Sequence, residues 1–170
     1  MSAILQHFQR FARYNALANE RLFTAVGGLP AQEYRKERPA FFGSIERTLN
    51  HIMIGDGLWM DRFEGQGRQT GRLDEILYAD FDALWQARQR EDRRISSFID
   101  DKLTEEMLAS HVITVNAAGE RFEDPFAMAL AHMFNHQTHH RGQVHDMLSQ
   151  AGMDPPSLDM HRILNPEPKK

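Results

Sequence analysis

The sequence predicts an all-α fold, a four-helix bundle with a short hairpin-like insertion before its last helix. Three observations carry that expectation. Four stretches repeat apolar residues at helical spacing, glycine or proline punctuates their ends, and no repeat or long linker divides them.

The first helix is expected from Ala3 to Val26, on Ile4, Leu5, Phe8, Phe11, Ala12, Leu17, Leu22 and Phe23. Gly27-Gly28-Leu29-Pro30 ends it. The second is expected from Ser44, a plausible N-cap, to Glu64, with Gly65-Gln66-Gly67 as the stop. The third spans Asp80 to Asp101 through Phe81, Leu84, Trp85, Ile95, Phe98 and Ile99. Its middle, "QARQREDRR", is nearly all polar and predicts strong exposure there. In "SHVITVNAAGERFED", β-branched Val112 to Val115, a turn at Asn116 to Gly119 and then Arg121-Phe122-Glu123 predict the hairpin. The fourth helix is expected from Asp124 to Ala151, with Asp124 as N-cap and Pro125 in the first turn; Gly152 and Pro155-Pro156 close it.

At 170 residues the chain fits one domain with a real core. A content of 41% apolar and 26% charged residues is that of an ordinary globular protein, and no apolar run approaches a membrane span. Nothing at the N-terminus reads as a signal peptide, so the expected location is the cytoplasm. The chain has no cysteine, which excludes disulfides, thiolate ligands and a cysteine nucleophile; any thiol chemistry needs a thiol from outside. A net charge of −4, with basic runs short and broken by acids, argues against a nucleic-acid partner.

The chemistry concentrates in "HMFNHQTHHRGQV", where His132, His136, His139 and His140 crowd together. At about 100° per residue, His136 and His140 share one helix face a turn apart, together with Ala129, Met133, Gln143, Val144 and Met147. That stripe should face the interior. His132 shares it but lies about 12 Å along the axis from His140, too far to join the same ion. His139 falls at the edge. The pair is not a zincin pattern, since Gln137 stands where the acid would be. A metal would need a third ligand from another element, with His7, His51, His111, His161 and the carboxylates as candidates. On the second helix the polar arc holds Glu46, Asn50, Gly57 and Asp61; His51 lies outside it, so an inward direction is permitted.

Gln143 could hydrogen-bond a ligand or orient a histidine, or equally be a core amide satisfied by backbone. Asp56, on the apolar side of its helix, is expected to orient a buried partner such as an arginine. Arg141 points away from the stripe and is assigned to structure or a subunit contact. Trp59, Met60, Phe63, Met133 and Met147 read as core.

"LNHIMIGDGLWMDRF" (Leu49 to Phe63), followed by "HMFNHQTHHRGQVHDMLSQAG" (His132 to Gly152), resembles the DinB/YfiT-like family, and the resemblance covers nearly the whole chain. It implies a single four-helix-bundle domain over residues 1–170 carrying a divalent metal on three histidines. By position these are His51, His136 and His140, with His132 and Gln143 beside them. Zinc or nickel would suit such a site best, with iron or manganese as further options. Several relatives are thiol-dependent transferases or isomerases. The resemblance therefore implies a metal-dependent enzyme that activates a low-molecular-weight thiol, or water, against an electrophilic small molecule, in a homodimer. The alternative is a metal-binding stress-response bundle without catalysis.

Overall fold

The computed structural model describes residues 2–66, 72–115 and 118–166. Four long helices dominate it: α1 (Ala3–Gly27), α3 (Ile45–Phe63), α4 (Phe81–Ser97) and α6 (Phe126–Gln150). Three short helices join them: α2 (Ala31–Arg35), α5 (Glu105–Ala109) and α7 (Met160–Leu164). Strands β1 (His111–Val115) and β2 (Arg121–Pro125) pair antiparallel, with His111 opposite Pro125 and Val115 opposite Arg121. The hairpin expected from the β-branched run is therefore present; its turn residues Asn116 and Ala117, like the Gly67 stop, lie outside the described residues.

Local chemistry sets most of the boundaries. Ser44 Oγ accepts from the Arg47 amide at 3.2 Å and Asp80 caps α4 through the Ala83 amide at 2.8 Å. A π-helical turn, Phe98–Lys102, prolongs α4 to the expected end. The start of α6 differs from the expectation. Asp124 does not cap the helix; it lies in β2 opposite Val112, and Pro125 occupies the cap position. The strand runs straight into the helix because the Phe126 amide is taken by the Ser110 carbonyl at 2.9 Å, which leaves Asp124 no role at the helix end.

Each long helix packs on two others: α1 on α4 and α6, and α3 on α4 and α6, while the hairpin lies against α3 and α6. Two apolar layers result. One holds Phe8, Ala12, Met60, Phe63, Ile95, Phe98, Phe126, Leu130, Met133 and Phe134. The other holds Leu22, Phe23, Ile45, Leu49, Ile52, Leu84, Val144 and Met147. On every long helix the residues between the two layers are polar yet buried: Asn15 and Asn19, Asp56, Arg88 and Asp92, Gln137 and Arg141.

Those seven side chains form one network. Arg88 pairs with Asp56 across α4 and α3 and with Asp92 at 2.9 Å. Asn19 and Asn15 of α1 donate to Asp92 at 2.9 and 3.3 Å. Arg141 donates to Asn15 and, at 3.2 and 3.3 Å, to Asn19 and Gln137. Burial opposes the Arg88 charge, but Asp92 and Asp56 outweigh it and hold the guanidinium protonated. The expected buried arginine partner of Asp56 is thus Arg88. One sequence reading changes, and the reading of Arg141 as structure or a subunit contact narrows to structure. The polar middle of α4 is exposed only at Gln86, Gln89, Arg90 and Arg93, since Arg88 and Asp92 turn inward. Arg141 does point away from the histidine stripe, but into the interior against α1 and not towards a subunit contact.

Candidate metal centre

The histidine cluster lies at the height of this polar layer, on the seam between α3 and α6. His51 comes from α3, His136 and His140 from α6, and one ring nitrogen from each falls within 4.8 Å of the other two. Ring centroids stand 4.4 Å apart for His136 and His140, 4.6 Å for His51 and His140, and 4.9 Å for His51 and His136. Of the four third-ligand candidates among the histidines, only His51 reaches the pair among the described residues.

The "LNH" run divides its work among three side chains. Leu49 fills the apolar layer. Asn50 is fully buried: it donates to the carbonyls of Glu46 and Tyr78 at 3.0 and 3.1 Å and accepts from the Tyr78 amide at 2.9 Å. It ties the segment before α4 onto α3, so the polar arc expected at Asn50 and Asp61 is buried, not solvated. His51 then faces α6. Its Nδ1 meets the Leu73 carbonyl at 2.8 Å. A carbonyl only accepts, so the hydrogen sits on Nδ1 and the Nε2 lone pair points into the cluster.

His136 Nε2 stands 2.9 Å from His51 Nε2. Two ring nitrogens this close need a proton or a cation between them. His136 reaches this position because residue 55 is glycine. A Cβ there would stand 2.8 Å from His136 Cε1 and 3.3 Å from its Nδ1. His140 Nδ1 meets Gln143 Oε1 at 2.8 Å, and the Gln143 amide nitrogen meets His139 Nε2 at 3.1 Å. Gln143 thus orients His140, and His139 sits outside, exposed at the edge. His132 is also exposed, with its ring 6.1 Å from His136 and 5.4 Å from Trp59.

All three cluster histidines are held neutral. Burial pushes His136 down to about 3, and the neighbouring His140, His51, His132 and His139 add to the effect. Burial likewise lowers His51 and His140. Neutral imidazole is the form that binds metals. Around one divalent ion with nitrogen bonds of about 2.1 Å, two ligand nitrogens stand at most about 4.2 Å apart; a small side-chain rotation brings the present spread within that. The donor set therefore fits a divalent ion, and three neutral histidines this close, two buried and one half-buried, could bind one.

Comparison with known proteins supplies the family. The model of the DinB family matches residues 1–170. The chain belongs to the DinB family. Protein DinB of Bacillus subtilis (strain 168) is 30% identical over 146 residues, covering 82% of this chain and 83% of that protein. The crystal structure of a DinB-like protein from Bacillus cereus ATCC 10987 shares the fold at a TM-score of 0.61 and 18% identity, covering 82% of this chain and 89% of that one.

In this DinB-family chain, three contributors to the cluster went unread in the sequence. Phe42 stacks on His51 with centroids 4.0 Å apart and lies 5.5 Å from His140, roofing the cluster from the loop before α3. Nothing in "FFGS" announces that role. The Leu73 carbonyl is a backbone group and leaves no sequence signal. Gly55 could have been found: a lone glycine inside a strongly helical run asks for a close approach.

Proposed function

We propose that His51, His136 and His140 hold one divalent metal ion, zinc or nickel first, and that this makes the protein an enzyme acting on a small electrophile. The four long helices are read as one four-helix bundle that carries the site. The observation that carries this reading is the pair of facing ring nitrogens, His51 Nε2 and His136 Nε2, with the first fixed as a lone pair by Leu73. Without an ion, a neutral His136 can donate its Nε2 hydrogen to His51 Nε2; an ion would take both lone pairs in place of that hydrogen.

An ion held by three neutral imidazoles keeps an open position, where it lowers the pKa of a thiol or water. The chain's own residues do the rest. Leu73 and Gln143 fix the rings of His51 and His140, and Phe42 shields His51 from water. With no cysteine in the chain, the thiol comes from a low-molecular-weight cosubstrate. Towards a chlorinated aromatic, the sulfur would bond to the ring carbon, chloride would leave with the electron pair of its bond, and the thiol proton would pass to solvent.

Incubating zinc-loaded protein with a thiol and chlorodinitrobenzene should release chloride and give the thioether, and His51→Ala should fall to the background of metal-free protein. Metal-loaded protein no faster than that background, across several thiols and with water alone, would point to a metal-binding protein without catalysis.

Gly55→Ala separates site geometry from folding. Alanine is the better helix former by about 1 kcal/mol, so the helix itself should not suffer. The new Cβ must displace the His136 ring. Zinc affinity, measured by competition with a chromophoric chelator, should drop on the order of tenfold, as for other losses of ligand orientation. Unchanged affinity would show that His136 need not sit where it does.

A further inference from the structure

The α3–α6 seam continues outward from the cluster as a strip of partly exposed rings. His136 is half-buried and His132 exposed, and His132 stands against Trp59. Beyond Trp59 lies Arg62, its guanidinium carbon 4.7 Å over the indole ring. Trp59 and Arg62 are both half-buried.

Arg62 has acids as sequence neighbours but does not use them. Asp61 pairs with Arg94 at 2.7 Å. Glu64 pairs with Arg94 at 2.7 Å and with Lys102 at 3.2 Å. Both acids of this turn are engaged on the far side, towards α4 and its π-helical end. Arg62 is left with the indole face as its side-chain contact among the described residues. Burial also pulls its pKa down, the sign of a cation stripped of part of its water without an anion in return. An arginine with five donors and no acceptor is suited to a carboxylate or a similar anion.

We infer that Arg62 is a specificity-determining residue, selecting ligands that carry an anionic group some distance from the atom seated at the histidine cluster. Arg62 follows Gly55, the residue level with His136, by seven positions, roughly 10 Å along the helix axis. Its side chain leans back over Trp59, which shortens the span. The substrate class is therefore an elongated organic anion, with Trp59 and His132 flanking its body. This inference rests on the metal reading above.

Cobalt(II)-loaded protein provides the test, because sulfur binding to cobalt gives a charge-transfer absorption that reports affinity without turnover. Mercaptohexanoate should bind about tenfold more tightly than mercaptohexanol, the gain of one charge-assisted contact. Arg62→Gln should bring mercaptohexanoate to the level of the alcohol, leave mercaptohexanol unchanged and retain full cobalt content; Arg62→Lys should keep part of the preference. A preference that survives Arg62→Gln, or none in the unaltered protein, overturns the assignment. Failure of the unaltered protein to take up cobalt would instead contradict the histidine site, and this inference with it.

Discussion

Replacing Arg88 by methionine should lower the free energy of unfolding by about 3–5 kcal/mol, and the melting temperature by roughly 10 °C for a chain of this size. Arg88 is 1% exposed, Asp56 0% and Asp92 9%. Methionine fills much of the volume, so the loss is electrostatic. Asp56 would lose its ion-pair partner and Asp92 its contact with Arg88, leaving the amides of Asn15 and Asn19 and the more distant charge of Arg141. A buried carboxylate without a partner is among the costliest defects in a folded protein. Removing both members of the central pair, with Asp56→Leu added to Arg88→Met, should recover more than half of the loss, because the unpaired charge goes with it. Urea unfolding of the single and double variants measures both effects. A loss under about 1 kcal/mol for Arg88→Met would contradict a buried pair.

The network also bears on the histidines. It joins α3 to α4, α4 to α1 and α1 to α6 at one height, the height at which His51 meets His136 and His140. A helix sliding by one turn would leave Asp56, Arg88 or Arg141 facing an apolar layer. The polar layer thus sets the register that aligns the site.

Much of this was legible in the sequence because helical periodicity is a local signal. The ends of the four long helices, apart from the start of α6, the hairpin and the inward turn of His136 and His140 all follow from signals within one segment. What escaped reading lies between segments. Arg141 and Gln137 look like the solvent side of α6 when the helix is taken alone, yet α6 is buried on two faces, against α3 and against α1. "QARQREDRR" looks like a surface run because no single-helix pattern shows that Asp56 and two asparagines wait opposite. The position of His51 was permitted by its own helix and implied by the family resemblance. Phe42 and the Leu73 carbonyl reach the site from loops, where no period exists to read. The short helices α2, α5 and α7 carry too few residues to show one.

Zinc content after stripping with chelator, reloading and gel filtration bears most directly on the central claim. A ligand contributes more than the outer contacts whose loss costs 10–100-fold in affinity, so each of His51→Ala, His136→Ala and His140→Ala should bind zinc at least about 100-fold more weakly. His132→Ala and His139→Ala should stay near the unaltered protein, since neither ring belongs to the cluster. Circular dichroism of the same samples keeps misfolding apart from ligand loss. The account predicts about one zinc per chain in the unaltered protein and in His132→Ala and His139→Ala, and zinc lost from the other three variants. Full occupancy in all three cluster variants, or no zinc in the unaltered protein, would contradict it.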